Sequence, residues 1–136
     1  MTAFEKPAID LTYTAWEREV GEFRIAGTWF RHDDNNTEPC LFIRPAKGLV
    51  AGAKPAVVLL SSAYLYVDPR NAAATIRSLA LGMGMEGITQ WTKLADLIND
   101  HISDLISIPP DRRKREAIGD VEVTIGGRRR TGELLE

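Results

Sequence analysis

The chain contains few of the features that would identify a function at once. One cysteine and two histidines in 136 residues exclude an internal disulfide and a zinc site built from cysteines. The first twenty residues include four acidic residues and no apolar segment of the kind found in secretory signals. The longest apolar run, residues 55–67, is shorter than the roughly 20 residues of a membrane-spanning helix and contains two serines. We therefore expect a soluble protein of the cytoplasm with no membrane partner.

The composition is that of an ordinary globular domain, with 44% hydrophobic and 26% charged residues and a net charge of −2. A chain of this length can bury a core without a metal or a disulfide. The charges are unevenly distributed. Residues 1–40 contain eight acids and four bases, whereas residues 111–131 contain seven bases and four acids. This asymmetry predicts an acidic body followed by a basic C-terminal segment.

Residues 87–108 carry the clearest structural pattern in the chain. Apolar residues recur there every three or four positions, which is the period of one helix face. Pro109 and Pro110 end the pattern because proline lacks the backbone donor that a helix needs. The pattern predicts a long amphipathic helix over 88–108, for which the rest of the chain supplies an apolar surface. The predicted apolar face consists of Ile88, Trp91, Leu94, Ile98, Ile102 and Leu105.

A β-hairpin is predicted before this helix. Phe23, Ile25 and Trp29 alternate with polar or small residues, which is the period of a half-buried strand. Gly27 interrupts the run and indicates a bulge. A polar loop then leads to a second short strand over 40–44, as in an antiparallel hairpin.

The middle of the chain predicts a central strand and a second helix. Residues 56–60 form an aliphatic run typical of a strand buried on both faces, and residues 63–67 are predicted as a further strand or its continuation. Asp68 and Pro69 are favoured at the start of a helix, so an alanine-rich helix is predicted over 69–81. A short glycine-containing connection makes the two helices a helical hairpin.

These patterns together predict an α+β fold. Residues 1–110 form one domain, in which a small antiparallel sheet of three or four strands over about 20–67 is packed by helices 69–81 and 88–108. Residues 111–136 form a basic C-terminal arm with a β-hairpin. The predicted core contains Phe23, Ile25, Trp29, Leu41, Ile43, Val57, Val58, Leu59, Ile76, Leu79, Trp91, Leu94, Ile98, Ile102 and Leu105.

The long helix carries an acidic row on its polar face. Asp96, Asp100 and Asp104 are spaced at i, i+4 and i+8, so their carboxylates lie on one side of the helix. Carboxylates so placed can bind a basic protein surface, or they can be the water-facing side of an amphipathic helix. The sequence nearby does not supply the further oxygen ligands of a magnesium or calcium site, so we expect no metal.

The basic segment is the strongest functional candidate. Its cations can pair with the acidic helix face of the same or another subunit, or they can bind phosphates. No aromatic residue follows Trp91, so stacking on single-stranded bases has no support. The helices are acidic where a DNA-recognition helix is basic. The cations are Arg112, Arg113, Lys114, Arg115, Arg128, Arg129 and Arg130.

The side chains that could support catalysis do not form a complete pattern. His101 lies at the border of the apolar stripe, where Asp104 can contact it. His32 lies in a polar loop before Cys40, and their spacing matches no metal-site template. Ser61 follows an aliphatic strand but lacks the glycine-flanked turn that hydrolases use. A small hydrolase that uses either histidine is the least supported interpretation.

The first hypothesis is therefore a non-enzymatic interaction protein that needs no cofactor. It self-associates as a homo-oligomer, or binds another protein, through Asp96, Asp100, Asp104 and residues 112–115. The alternative is a nucleic-acid-binding accessory protein that uses residues 112–115 and 128–130. Small size and a charged arm suit accessory proteins of mobile elements and virions, including phage-like ones, although no motif is specific enough to indicate a family.

Overall fold

A computed structural model of the chain describes residues 14–33, 36–110, 122–125 and 128–131. Six strands and three α-helices lie in these ranges, so the predicted α+β class is confirmed. The strands are β1 (Trp16–Val20), β2 (Phe23–Asp33), β3 (Asn36–Pro45), β4 (Ala56–Leu59), β5 (Glu122–Ile125) and β6 (Arg128–Thr131). The helices are α1 (Tyr64–Val67), α2 (Pro69–Gly82) and α3 (Ile88–Ile106).

The first four strands form an antiparallel sheet, as predicted, and they are adjacent in chain order. The register of β2 against β3 is continuous through Gly27 and shifts only between Arg31 and Asp33. The predicted bulge at Gly27 is therefore wrong. Gly27 lies opposite Trp16, and a Cβ atom at Gly27 would stand 2.5 Å from Trp16 Cε2. The glycine is needed because the indole ring occupies the space of a side chain.

The predicted strand region, about residues 20–67, is wrong at both ends. The first strand begins earlier, at Trp16, and the fourth strand ends at Leu59. Beyond β4 the chain forms a 3-10 turn at Leu60–Ser62 and then α1. Tyr66 is buried, whereas Tyr64 and Val67 are exposed. This burial pattern is that of a helical turn and not the alternation of a strand.

Helix α3 organises the core, as its periodicity predicts. Leu94, Ile98 and Leu105 are completely buried on its inner side, and α1 and α2 pack beside it on the sheet. The predicted burial of Ile88 is wrong, since this first residue of α3 is 75% exposed. Trp91 and Ile102 are partly buried against the core. Tyr66 and Leu97 are buried in addition to the predicted set.

Strand β2 is buried on both faces for much of its length, which differs from the half-buried strand that its alternation predicts. Every residue from Ile25 to Arg31 is buried, including Ala26, Thr28 and Phe30 on the face opposite the core-facing residues. These residues are small or apolar, so a central strand can bury them. Cys40 is also fully buried, as expected for a thiol that packs as a small hydrophobe.

The last two strands join the sheet beyond β4. The backbone of β5 pairs in parallel with β4 through Ala56–Thr124 and Val57–Ile125, and β6 pairs antiparallel with β5. Arg128–Arg130 lie on β6, and residues 112–115 lie outside the described residues. The basic arm as a functional element therefore stays a prediction.

Candidate functional site

Strand β1 contacts helix α3 through alternate side chains. Because successive strand residues point to opposite faces, Trp16 and Arg18 lie on the same side of the sheet, toward α3. Arg18 Nη1 donates to Asp104 Oδ2 at 2.8 Å. The Arg18 guanidinium also lies 4.0 Å above the Trp16 ring, and that ring lies 5.8 Å from the His101 ring. A layer of stacked and ionic contacts thus joins the edge of the sheet to the helix.

His101 is a buried polar residue on α3, with 7% of its surface exposed. Its Nδ1 donates to the carbonyl oxygen of Leu97, one helical turn earlier, at 2.8 Å, which places the hydrogen on Nδ1. Asp104, the neighbour expected from the spacing, is paired with Arg18 instead. Packing against Trp16 and the bond to Leu97 account for the position of this ring without a catalytic partner.

A groove of about 290 Å³ lies between the β1–β2 turn and α3. Val20, Phe23 and Leu97 give it an apolar floor, and charged side chains stand at its rim. Val20 is 38% exposed, so part of the floor is open to a partner. This α3 groove is lined by Val20, Gly21, Glu22, Phe23, Lys93, Asp96, Leu97 and Asp100.

The charges around the α3 groove do not balance. Lys93 Nζ forms an ion pair with Glu22, and the hydrogen bond and positive charge of Lys93 hold the pKa of the Glu22 carboxyl below its ordinary value of 4.5. Asp96 and Asp100 are exposed, and within the described part of the chain no ion pair involves either carboxylate. The groove therefore carries two uncompensated negative charges above an apolar floor.

The predicted acidic row thus divides into two parts. Asp96 and Asp100 line the groove, whereas Asp104 is engaged with Arg18 on β1. Sequence reasoning did not identify the contribution of Val20 and Phe23. Both residues flank the two-residue β1–β2 turn, and Val20 lies outside the alternating run that predicts β2, so no local pattern places them beside α3.

A second polar cluster centres on Glu38 of β3. One carboxylate oxygen lies 2.7 Å from His32 Nε2 and accepts the Ser61 hydroxyl at 3.1 Å. The other oxygen accepts the backbone N–H of Ser61 at 2.8 Å. Burial raises the pKa of the Glu38 carboxyl, but the hydrogen bonds from His32 and Ser61 outweigh it and the pKa is lowered from 4.5. The carboxylate therefore remains ionised at neutral pH.

The order of groups in the Glu38 cluster differs from that of a serine hydrolase. In a catalytic triad the imidazole bonds to the serine hydroxyl and the carboxylate orients the imidazole. Here the carboxylate lies between the histidine and the serine. Glu38 holds the first turn after β4 by accepting from both Ser61 donors, which is a structural use of these side chains. Glu38 was not a sequence candidate, because its partners come from separate elements.

Comparison of the chain with protein-family models, with curated proteins and with solved structures gave no match. Among the residues that the structure describes, no group of three or more histidine, cysteine, aspartate or glutamate side chains is placed to hold a metal ion. No helix in the described ranges is both long and apolar enough to cross a membrane.

Proposed function

We propose that this protein is a non-enzymatic interaction protein that self-associates through the acidic face of α3 and the basic segment after residue 110. The observation that carries the proposal is the uncompensated charge of Asp96 and Asp100 at the rim of an apolar groove. An apolar floor with charged rims is the usual anatomy of a protein-binding surface. The partner that suits it is positively charged, and the chain carries such a segment itself at 112–115.

The distribution of charge supports association between copies of this chain. The described acids of α3 stand on one surface, and the basic residues are concentrated beyond Pro110. Copies that offer both surfaces can form a closed symmetric assembly, in which each acidic face meets the partner's basic segment. Because such contacts are near the surface, salt screens them, with a Debye length of about 10 Å at 0.1 M ionic strength.

Light scattering on a sizing column tests this proposal. The full-length chain is compared at low and high salt with a variant in which Arg112, Arg113, Lys114 and Arg115 are all changed to Gln. We expect an oligomer at low salt that dissociates at high salt and in the variant. A chain that stays monomeric at low salt over a wide concentration range would overturn self-association.

The nucleic-acid alternative predicts a different result for the same variant. Seven cations on phosphates would make duplex binding fall steeply with salt, with the logarithm of the binding constant decreasing by about 0.9 per phosphate contact for each unit in log salt concentration. A monomeric protein that binds duplex with such a slope, and shows a smaller slope in the four-residue variant, supports this alternative against self-association.

A further inference from the structure

We propose that the α3 groove binds the basic segment 112–115 of a second copy of this chain in an extended conformation. The inference rests on the proposed function and specifies which surface and which residues make the contact. The groove offers Asp96 and Asp100, and the segment reads Arg112, Arg113, Lys114, Arg115. The groove therefore selects an extended, positively charged segment of an identical chain over an uncharged or acidic one.

The spacing of the charges favours an extended segment. Side chains at i and i+4 of a helix have Cβ atoms roughly 5–6 Å apart, which applies to Asp96 and Asp100. In an extended chain, residues two apart lie on one face and are separated by roughly 6.6 Å. One alternating pair of cations, either Arg112 with Lys114 or Arg113 with Arg115, therefore matches both aspartates at once.

The floor of the groove matches the stems of these side chains. Arginine and lysine pack their aliphatic stems on apolar surface and keep the charged group in water. Val20, Phe23 and Leu97 supply that surface between the two aspartates and the β1–β2 turn. Binding would cover the exposed part of Val20 and bring the cationic groups to the rim, where Asp96 and Asp100 are exposed.

The geometry of α3 favours a second copy over the chain's own segment. Trp29 Nε1 donates to the carbonyl oxygen of Pro109 at 2.7 Å, which ties the end of α3 to β2. Asp96 lies about 15 Å back along α3 from Ile106, the last residue of the helix, at 1.5 Å per residue. By Glu122 the same chain is paired beyond β4, on the far side of the sheet from β1. Residues 112–115 follow Pro110 by only two to five positions, which span about 7–18 Å at full extension, so most of the chain's own segment cannot reach back to both aspartates.

Exchange of the groove charges tests this inference in the full-length protein. The double variant Asp96→Asn with Asp100→Asn removes two negative charges, and Glu86→Lys changes the net charge by the same amount at an exposed site that does not line the groove. Sedimentation equilibrium should show about fivefold weaker self-association for the aspartate variant and almost no change for the control. This factor corresponds to the loss of two near-surface ion pairs.

A matched pair of segment variants tests the register. Arg112→Gln with Lys114→Gln and Arg113→Gln with Arg115→Gln remove the same charge, so attraction without a register predicts equal effects. Extended docking predicts that one pair weakens self-association several times more than the other. Equal effects would overturn the extended segment.

The result also separates this inference from the proposed function. Suppose that self-association needs residues 112–115, but that the aspartate variant weakens it no more than Glu86→Lys does. This result would overturn the groove as the docking site and would leave self-association standing. A monomer at every concentration would overturn both.

Discussion

The two sides of helix α3 are joined to the sheet by different kinds of contact. On the inner side, Leu94, Ile98 and Leu105 are fully buried among apolar side chains of the sheet and of α2. On the side toward β1, the contacts include the Arg18–Asp104 and Lys93–Glu22 ion pairs, whose side chains are each between 41% and 49% exposed. One helix thus has a dry interface and a charged, solvated one.

This difference separates stability from recognition. Burial of apolar area contributes roughly 25 cal/mol per Å², so the inner side of α3 supplies most of the free energy that holds the helix in place. Exposed ion pairs contribute between zero and about 1 kcal/mol each. The Lys93–Glu22 pair joins the β1–β2 turn to α3 at the edge of the α3 groove. Changes to the two sides should therefore have different consequences.

The largest effect is expected from the dry side. Ile98→Ala should lower the free energy of unfolding by about 2–5 kcal/mol, because it removes fully buried methyl groups and leaves a cavity. The matched control is Ile88→Ala, on the same helix but 75% exposed, for which we expect a change within about 0.5 kcal/mol. Urea unfolding followed by circular dichroism measures both. Similar losses for the two variants would contradict the assignment of the inner face.

A smaller loss is expected where β1 meets the sheet. Gly27→Ala places a Cβ 2.5 Å from the Trp16 ring, so the ring must move and the contact with Arg18 and His101 is disturbed. Overpacking of this kind costs about 1–3 kcal/mol. The same substitution in a Trp16→Ala background should cost much less. A double-mutant cycle by chemical unfolding measures the coupling, and additive losses would show that the ring is not the obstacle.

Glu38 provides an intermediate case between the dry and the exposed contacts. The pKa of Glu38 in the folded protein is below the ordinary value of 4.5. The ionised carboxylate therefore stabilises the fold at any pH above the pKa that Glu38 has in the unfolded chain. This stabilisation is lost as the pH falls through the folded pKa. Glu38→Gln should cost about 1–2 kcal/mol at pH 7, and the difference from the parent protein should shrink below about pH 4. Thermal unfolding across this range measures it. A cost that is constant with pH would mean that the carboxylate charge is not responsible.

The smallest effect on stability is expected at the exposed pair. Arg18→Ala should change the free energy of unfolding by no more than about 1 kcal/mol, and part of that loss is packing on Trp16. Asp104→Asn removes the charge of the partner while keeping its size. High salt should reduce the difference between Asp104→Asn and the parent protein, as measured by urea unfolding. A loss as large as that of Ile98→Ala would place this pair among the main supports of the fold.

The elements were predictable where a local pattern had one explanation. The helix at 88–106 and the β2–β3 hairpin follow from their periods, and each is found within a few residues of its predicted range. Residues 63–67 were predicted wrongly because a five-residue apolar segment fits a strand and a helical turn equally well. The carboxylate of Glu38, twenty-three residues before Ser61, anchors the turn after β4. The sequence pattern could not distinguish this turn from a further strand.

The candidate site was predictable only in part. Asp96, Asp100 and Asp104 share a helix face because of their spacing, and this follows from the sequence alone. Which of them stays uncompensated was decided by strand β1. Arg18 lies eighty-six residues from Asp104 in the chain, and Lys93 lies seventy-one residues from Glu22. Long-range pairs of this kind have no local signature, so charge spacing could not reveal which carboxylates would line a groove.

The sequence by itself determined the α+β class, the amphipathic helix that packs on the sheet and the separation of acidic and basic residues along the chain. These depend on the periods of helix and strand and on composition, which are local properties. The tertiary structure decided the rest: the use of Gly27 as space for Trp16, the burial of His101, the Glu38 cluster and the α3 groove. Each of these depends on two or more segments that meet only when the sheet and the helices pack together.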